Sequence, residues 1–193
     1  WIAFSGNKDG VWDIFRINLE TRELQNLTQD DYYDTNPTWS ADGAQVLYNR
    51  RISRFAKIFT VEVGAPERKA ALTTGPATDL MPAFSRDGKS IYFTSDRGQY
   101  GVYNVHALDL ATGDITRLTD LTGGAFSPVE MTPADDGSAQ LAYVAFQAST
   151  FRLYQMRTSG GEVDNAKKSG TAEPASSPLA PSRREVPSDS KPP

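Results

Sequence analysis

Cysteine is absent from the 193-residue chain, which removes disulfides and thiolate metal sites from consideration. Histidine occurs once, at His106, and no Gly-x-Ser-x-Gly elbow, His-Glu-x-x-His helix motif or P-loop is present; the parts an enzyme needs are therefore missing from the sequence. No apolar run approaches the length of a membrane span, and nothing repeats with a sustained helical period. The net charge is −4, divided as +2 from residue 165 onward and −6 before it. An acidic body of this kind offers no electrostatic footprint for nucleic acid. No signal-peptide pattern opens the sequence. It begins at Trp1, inside a strand-like Trp-Ile-Ala-Phe-Ser run, so the natural N-terminus, with any export signal, is expected upstream.

What the sequence does contain is an internal repeat. Leu-Thr occurs at Leu27-Thr28, Leu72-Thr73 and Leu118-Thr119, spaced 45 and then 46 residues. Asp-Gly occurs at Asp42-Gly43, Asp87-Gly88 and Asp136-Gly137, each preceded by a proline, Pro37, Pro82 and Pro128. Two units match closely, as Asp34-Thr-Asn-Pro37-Thr-Trp-Ser-Ala-Asp-Gly43 and Asp79-Leu-Met-Pro82-Ala-Phe-Ser-Arg-Asp-Gly88. The third is degenerate, with Ala125 in the aspartate's place. Short β-rich runs follow each Asp-Gly: Val46–Tyr48 then Ile58–Val61, Ile91–Thr94 then Val102–Leu108, Leu141–Val144 then Leu153–Met156. Such runs between Gly, Asp, Asn and Pro turns read as an all-β chain, and a period of about 40–50 residues points to propeller blades. Asp-Gly suits a tight hairpin turn. The rings at Trp39, Phe84, Phe15, Phe59 and Tyr154 are expected to fill the space between neighbouring blades.

Pro-x-(Trp/Phe)-Ser-x-Asp-Gly, a strand, a second strand of the Asp-Ile-Phe-x-Ile type and a closing Leu-Thr together resemble the TolB-like β-propeller repeat, over roughly residues 1–164. The same repeat type occurs in the propellers of prolyl-oligopeptidase-type peptidases and in large bacterial envelope proteins. The resemblance implies an all-β fold, a partial β-propeller of four-stranded antiparallel blades with a disordered C-terminal tail. The expected divisions are an incomplete blade at 1–28, blades at 37–73, 82–119 and 127–163, and a Pro/Ser-rich disordered tail at 165–193. An open arc should leave apolar blade faces uncovered at its ends. In the tail, Pro181-Ser-Arg-Arg184 reads as a docking motif or, more plainly, as solvated chain.

The function the resemblance implies is a non-catalytic protein–protein interaction or scaffold module of a bacterial envelope protein, periplasmic or extracellular. Its partner would be a protein; no nucleic acid, cofactor or direct membrane insertion is expected. The alternative is the propeller accessory domain of a prolyl-oligopeptidase-type or other envelope peptidase, whose catalytic domain would lie outside these residues. The candidate partner-contact loop is Asp30, Asp31, Tyr32, Tyr33 and Asp34, joined by Asp79 at the equivalent place in the next repeat. Loops on a rigid scaffold carry function, and these carboxylates could line an acidic funnel for a cation, calcium included, or for a basic segment. The plainer expectation is that Asp34 and Asp79 cap backbone donors in a turn. His106 aligns with Phe15, Phe59 and Tyr154 and is expected to replace a packing aromatic. Asp96-Arg97-Gly98 reads as a hairpin tip with Tyr100 and Tyr103 beside it, and Asn26-Leu27-Thr28 formally fits a glycosylation acceptor.

Overall fold

The computed structural model describes residues 1–98 and 100–158. The tail reading and the end of the last repeat, 159–163, lie outside the described residues. All fourteen elements described are strands: β1 Ile2–Lys8, β2 Val11–Ile17, β3 Leu24–Asn26, β4 Tyr33–Trp39, β5 Gln45–Ile52, β6 Phe55–Glu62, β7 Ala65–Ala71, β8 Asp79–Phe84, β9 Ser90–Ser95, β10 Asn104–Asp109, β11 Ile115–Arg117, β12 Ala125–Glu130, β13 Ala139–Gln147 and β14 Thr150–Thr158. They pair only with their sequence neighbours, antiparallel, in four sheets: β1-β2-β3, β4-β5-β6-β7, β8-β9-β10-β11 and β12-β13-β14. Successive sheets pack face to face as four blades of a propeller. Among the described residues, the main packing contacts between sheets run from each blade to the next one in sequence.

Each element of the repeat has a visible reason. In Ser-x-Asp-Gly, Asp42 accepts the Ala44 amide (3.0 Å) and the Ser40 hydroxyl (2.6 Å), and Ser40 in turn accepts the Gln45 amide (2.9 Å). Ser85, Asp87, Lys89 and Ser90 repeat the same closed turn. Its glycines, Gly43 at φ 71° and Gly88 at φ 69°, hold a left-handed conformation that costs other residues strain. Leu-Thr fastens the outer edge of a blade. The Leu27, Leu72 and Leu118 amides donate to Ile14, Ile58 and Val105 carbonyls, while Thr28, Thr73 and Thr119 hydroxyls accept the Ile14, Ile58 and Val105 amides at 2.9–3.0 Å.

The proline sits at a bulge in the innermost strand. Register shifts fall between Thr35 and Thr38, Leu80 and Ala83, and Phe126 and Val129, where the residue before each proline, Asn36, Met81 or Ser127, takes φ of 53–56°. The bulge frees one amide per strand, and the preceding blade captures it. Ser5 Oγ accepts Asn36 N (3.2 Å), Asn49 Oδ1 accepts Met81 N (3.1 Å) and Thr94 Oγ1 accepts Ser127 N (3.1 Å). These three side chains occupy one repeat position, on β1, β5 and β9. The fourth blade has Val144 there, which cannot accept.

Cross-strand aromatic pairs recur on the face each blade turns to its predecessor: Phe4–Phe15, Tyr48–Phe59, Phe93–His106 and Tyr143–Tyr154, with centroids 5.7–5.9 Å apart. His106 therefore stands where an aromatic packs. It is buried, stacks on Phe93 and meets the Asn104 carbonyl at 3.0 Å through Nδ1. Burial, foremost, pushes its pKa down to about 4. At the arc's ends, Ile2 and Phe4 on one side and Phe146, Phe151 and Leu153 on the other remain exposed.

Candidate functional site

The β1–β2 and β5–β6 hairpins and the segments entering β4 and β8 lie on one face of the arc. The predicted contact loop lies there, but the structure divides its residues into two groups. Asp31, Tyr32 and Tyr33 are exposed, the two tyrosines at 47% and 46%. Asp34 and Asp79 are fully buried, each at 0% exposure. The turn-capping role and the acidic funnel expected of these two are corrected: both lie inside the innermost strands, ahead of the bulge, and point into blade junctions.

Asp34 accepts Arg50 Nε (2.9 Å) and Nη2 (2.7 Å), and the same guanidinium reaches Asp30 at 2.5 Å. The register explains the pair, since Asp34 lies directly opposite Arg50 across β4 and β5. A guanidinium matches a carboxylate in two parallel bonds. Burial nevertheless pushes the Asp34 carboxyl above its ordinary value; Arg50 pulls it back only in part, and the neighbouring Asp30 charge adds to the rise. Arg50 is held high by the carboxylates it serves, against the cost of its own burial.

Asp79 has more donors. Arg97 Nη2 meets its oxygens at 2.7 and 2.8 Å, Ser95 Oγ at 2.6 Å, and Lys57 Nζ at 3.1 Å. Burial would raise this carboxyl too, but hydrogen bonds from Arg97, Ser95 and Thr73 outweigh it and hold the group below its ordinary value. Lys57 belongs to the preceding blade and also donates to the Thr74 and Ala77 carbonyls, so this ion pair ties two blades together. Arg97, beside the expected hairpin tip, anchors Asp79, and Asp96 next to it accepts the Thr78 amide at 2.6 Å.

Asp13, Asp30 and Asp34 come together, with one oxygen of each within 4.8 Å of the others. Their oxygens are engaged by the protein itself. Asp13 accepts Thr28 Oγ1 (2.9 Å) and Asn26 Nδ2 (2.7 Å), and Asp30 shares Arg50 with Asp34 while meeting Lys69 at 3.3 Å. Two cations already sit among the three carboxylates. Asn26, the formal glycosylation acceptor, spends its amide on Asp13 and its carbonyl oxygen on the Thr28 and Gln29 amides.

The exposed part of the loop is clamped from beneath by the same groups. Arg50 lies 4.6 Å from the Tyr32 ring centroid, Asp30 accepts the Tyr32 amide at 3.1 Å, and Tyr33 rests against Trp12 at 5.8 Å. The result is two aromatic rings and a carboxylate presented on a backbone that is pinned by buried ion pairs. Sequence reasoning missed Arg50, Arg97, Lys57 and the Ser5/Asn49/Thr94 series. A signal for the last was present, a polar residue recurring at one place within apolar strands.

Antiparallel blades in succession, each latched to the next, define the chain as a stretch of β-propeller. No protein-family model matches it. Over 93 residues it is 29% identical to the Tol-Pal system protein TolB of Francisella tularensis subsp. holarctica, a match covering 48% of this chain and 21% of that protein. With the TolB of Wolinella succinogenes it shares 26% identity over 163 residues, 81% of this chain and 37% of that one. The structure of a putative TolB from Agrobacterium tumefaciens superposes with a TM-score of 0.67 at 23% identity, covering 83% of this chain and 58% of that one. The chain is similar to these TolB proteins in sequence and in propeller fold, and it spans only about a fifth to two fifths of the length of the curated TolB proteins named here. Enzymes share the fold alone: an oligogalacturonate lyase of Vibrio parahaemolyticus has a TM-score of 0.60 and a prolyl endopeptidase 0.50, both at 14% identity.

Proposed function

We propose that this chain is a non-catalytic protein-interaction module of a bacterial envelope protein, TolB-like, and that Asp31, Tyr32 and Tyr33 form its partner contact. The observation that carries the reading is the clamped loop. Aromatic rings give large contact area at low entropic cost when they are already held in place, and Arg50, Asp30 and Trp12 hold these two. Asp30 and Asp34 serve as the clamp and not as contact groups, and Asp79 has the same internal role one blade on. The likeness to Tol-Pal system proteins supports a periplasmic setting and a protein partner. No helix among the described residues is long and apolar enough to cross a membrane.

The absence of a catalytic role rests on the titratable groups. The one imidazole is buried and stacked, and the buried carboxylates are occupied by cations of the protein. The peptidase-accessory reading draws on the fold likeness to prolyl endopeptidases and would need a catalytic domain elsewhere. Site-specific photo-cross-linking separates the two: with p-benzoylphenylalanine in place of Tyr32, exposed to a bacterial periplasmic fraction, a discrete protein adduct is expected. It should disappear in the Tyr33→Ala and Asp31→Lys background. An absence of adducts at Tyr32 together with adducts at the apolar arc ends would contradict the assignment of the loop.

A further inference from the structure

The structure assigns a carboxylate-binding pocket to the junction of the second and third blades, built on Arg51 and Arg54, and its fitting partner is an acidic peptide segment. The inference rests on the protein-interaction reading and specifies the chemistry of what is recognised. A cavity of about 230 Å³ opens beside the contact loop, lined by Tyr33, Thr35, Arg51, Arg54, Thr78 and Leu80 among others. Both arginines are exposed, and neither makes a salt bridge to a described residue. The engagements they do have are light. Arg51 Nε meets the Ser53 carbonyl at 3.4 Å, and Arg54 lies over the Phe55 ring at 4.8 Å.

The carboxylates that sequence alone would place at this mouth are withdrawn. Asp34 and Asp79 are buried and neutralised by Arg50, Arg97 and Lys57. Asp96, next along, is spent on the Thr78 amide and does not line the cavity. What the mouth offers to solvent is therefore two unpaired guanidinium groups with hydroxyls at Tyr33 and Thr35. Planar guanidinium forks suit carboxylates in bidentate pairs, and Leu80 with the Tyr33 ring supplies an apolar wall against which a peptide backbone can lie. The cavity volume is that of a side chain or two and falls below the usual range for drug-sized ligands. The same face of the arc is acidic one blade earlier, where Asp9, Asp13, Asp30 and Asp31 line a cavity of about 370 Å³ with Lys8. A partner that spans both should carry its acidic residues over Arg51 and Arg54.

The test uses the full chain and three probes followed by amide and arginine-side-chain NMR: a blocked Glu-Gly-Glu tripeptide, a blocked Lys-Gly-Lys tripeptide and inorganic phosphate. The acidic tripeptide is expected to move the Thr35, Thr78 and Leu80 amides and the Arg51 and Arg54 Nε–H signals. An Arg51→Gln/Arg54→Gln variant, both positions being exposed, should weaken it by about tenfold or more. Three results would overturn the proposal: the basic tripeptide moving the same signals, the acidic tripeptide binding the double variant equally well, or phosphate saturating the site at the same concentration. This failure is distinguishable from failure of the contact-loop reading, because a peptide that binds independently of Arg51 and Arg54 leaves the Tyr32 cross-link intact.

Discussion

The junction between the first and second blades and the junction between the second and third are built on one plan and reach opposite electrostatic results. The earlier blade offers Asp13 on β2 in one case and Lys57 on β6 in the other, each one residue before the position (Ile14, Ile58) on which Leu-Thr closes; the innermost strand of the later blade offers Asp34 and Asp79. Lys57 meets Asp79 across the junction, whereas Asp13 and Asp34 bring two carboxylates together, with Asp30 as a third. One junction has an attractive pair and a carboxyl held low. The other needs Arg50 and Lys69 to offset three acids and leaves Asp34 raised. Repetition of a backbone plan does not repeat its energetics, because the sign of one side chain changes which charges remain to be balanced.

The largest expected effect is at the attractive junction. Asp79→Ala strands the buried Lys57 and takes the partner of the half-buried Arg97, and should destabilise by about 3 kcal/mol or more in urea unfolding. Asp34→Ala should cost about 2 kcal/mol, since Arg50 keeps Asp30 as a partner. Equal losses would remove the distinction between the junctions. Next is the latch. Asn49→Ala frees the Met81 amide and the Asp79 carbonyl, which it serves at 3.1 and 2.9 Å, for a cost of about 2 kcal/mol. Thr94→Val, with one bond lost, should cost about 1 kcal/mol, read in the same experiment.

His106 tests the aromatic pairs. His106→Phe restores the ring found in the other blades and should change stability at neutral pH by about 1 kcal/mol or less. Its folded pKa is depressed from 6.5 to about 4, so the unfolded chain binds the proton first. The parent loses stability as pH falls from 6.5 toward 4, by up to about 3 kcal/mol from this group. The variant should lack that loss, which paired pH–stability curves will reveal as a difference confined to this window. The smallest effect concerns the two aspartates. Asp79, held low, contributes stability that is present above 3.8 and is lost as pH falls through its folded value beneath that. Asp34, held high, favours the fold at acid pH and loses that advantage as pH rises through its folded value above 3.8. Hydrogen exchange of β4 and β8 amides across this range should therefore respond in opposite directions.

The repeat was legible because hairpin turns and strand edges depend on residues close in sequence. Asp42 serves Ala44, Leu27 and Thr28 close on Ile14 along one hairpin, and the alternating apolar runs became β5, β6, β9 and β10. The roles of Asp34 and Asp79 were not legible, because they turn on register. Asp34 meets Arg50 only once the one-residue register shift at Asn36 and Pro37 is fixed, and Asp79 meets Lys57 only once two blades have packed. A strand that started at the proline would leave Asp34 in a loop. The bulge lets it start at Tyr33 instead, with the proline where no ladder donor is needed. Of the six predicted contact residues, the exposed trio kept its candidacy through its surroundings, Trp12 and Arg50, which spacing alone does not reveal.

The account stands most directly on the ionisation of the two buried carboxylates. Titration of the Asp34 and Asp79 side-chain carboxyl carbons by NMR in the intact chain should place Asp34 above 3.8 and Asp79 below it. Coincident titrations, or the reverse order, would contradict the claim that the two junctions differ in charge balance and that these groups are committed to holding blades together.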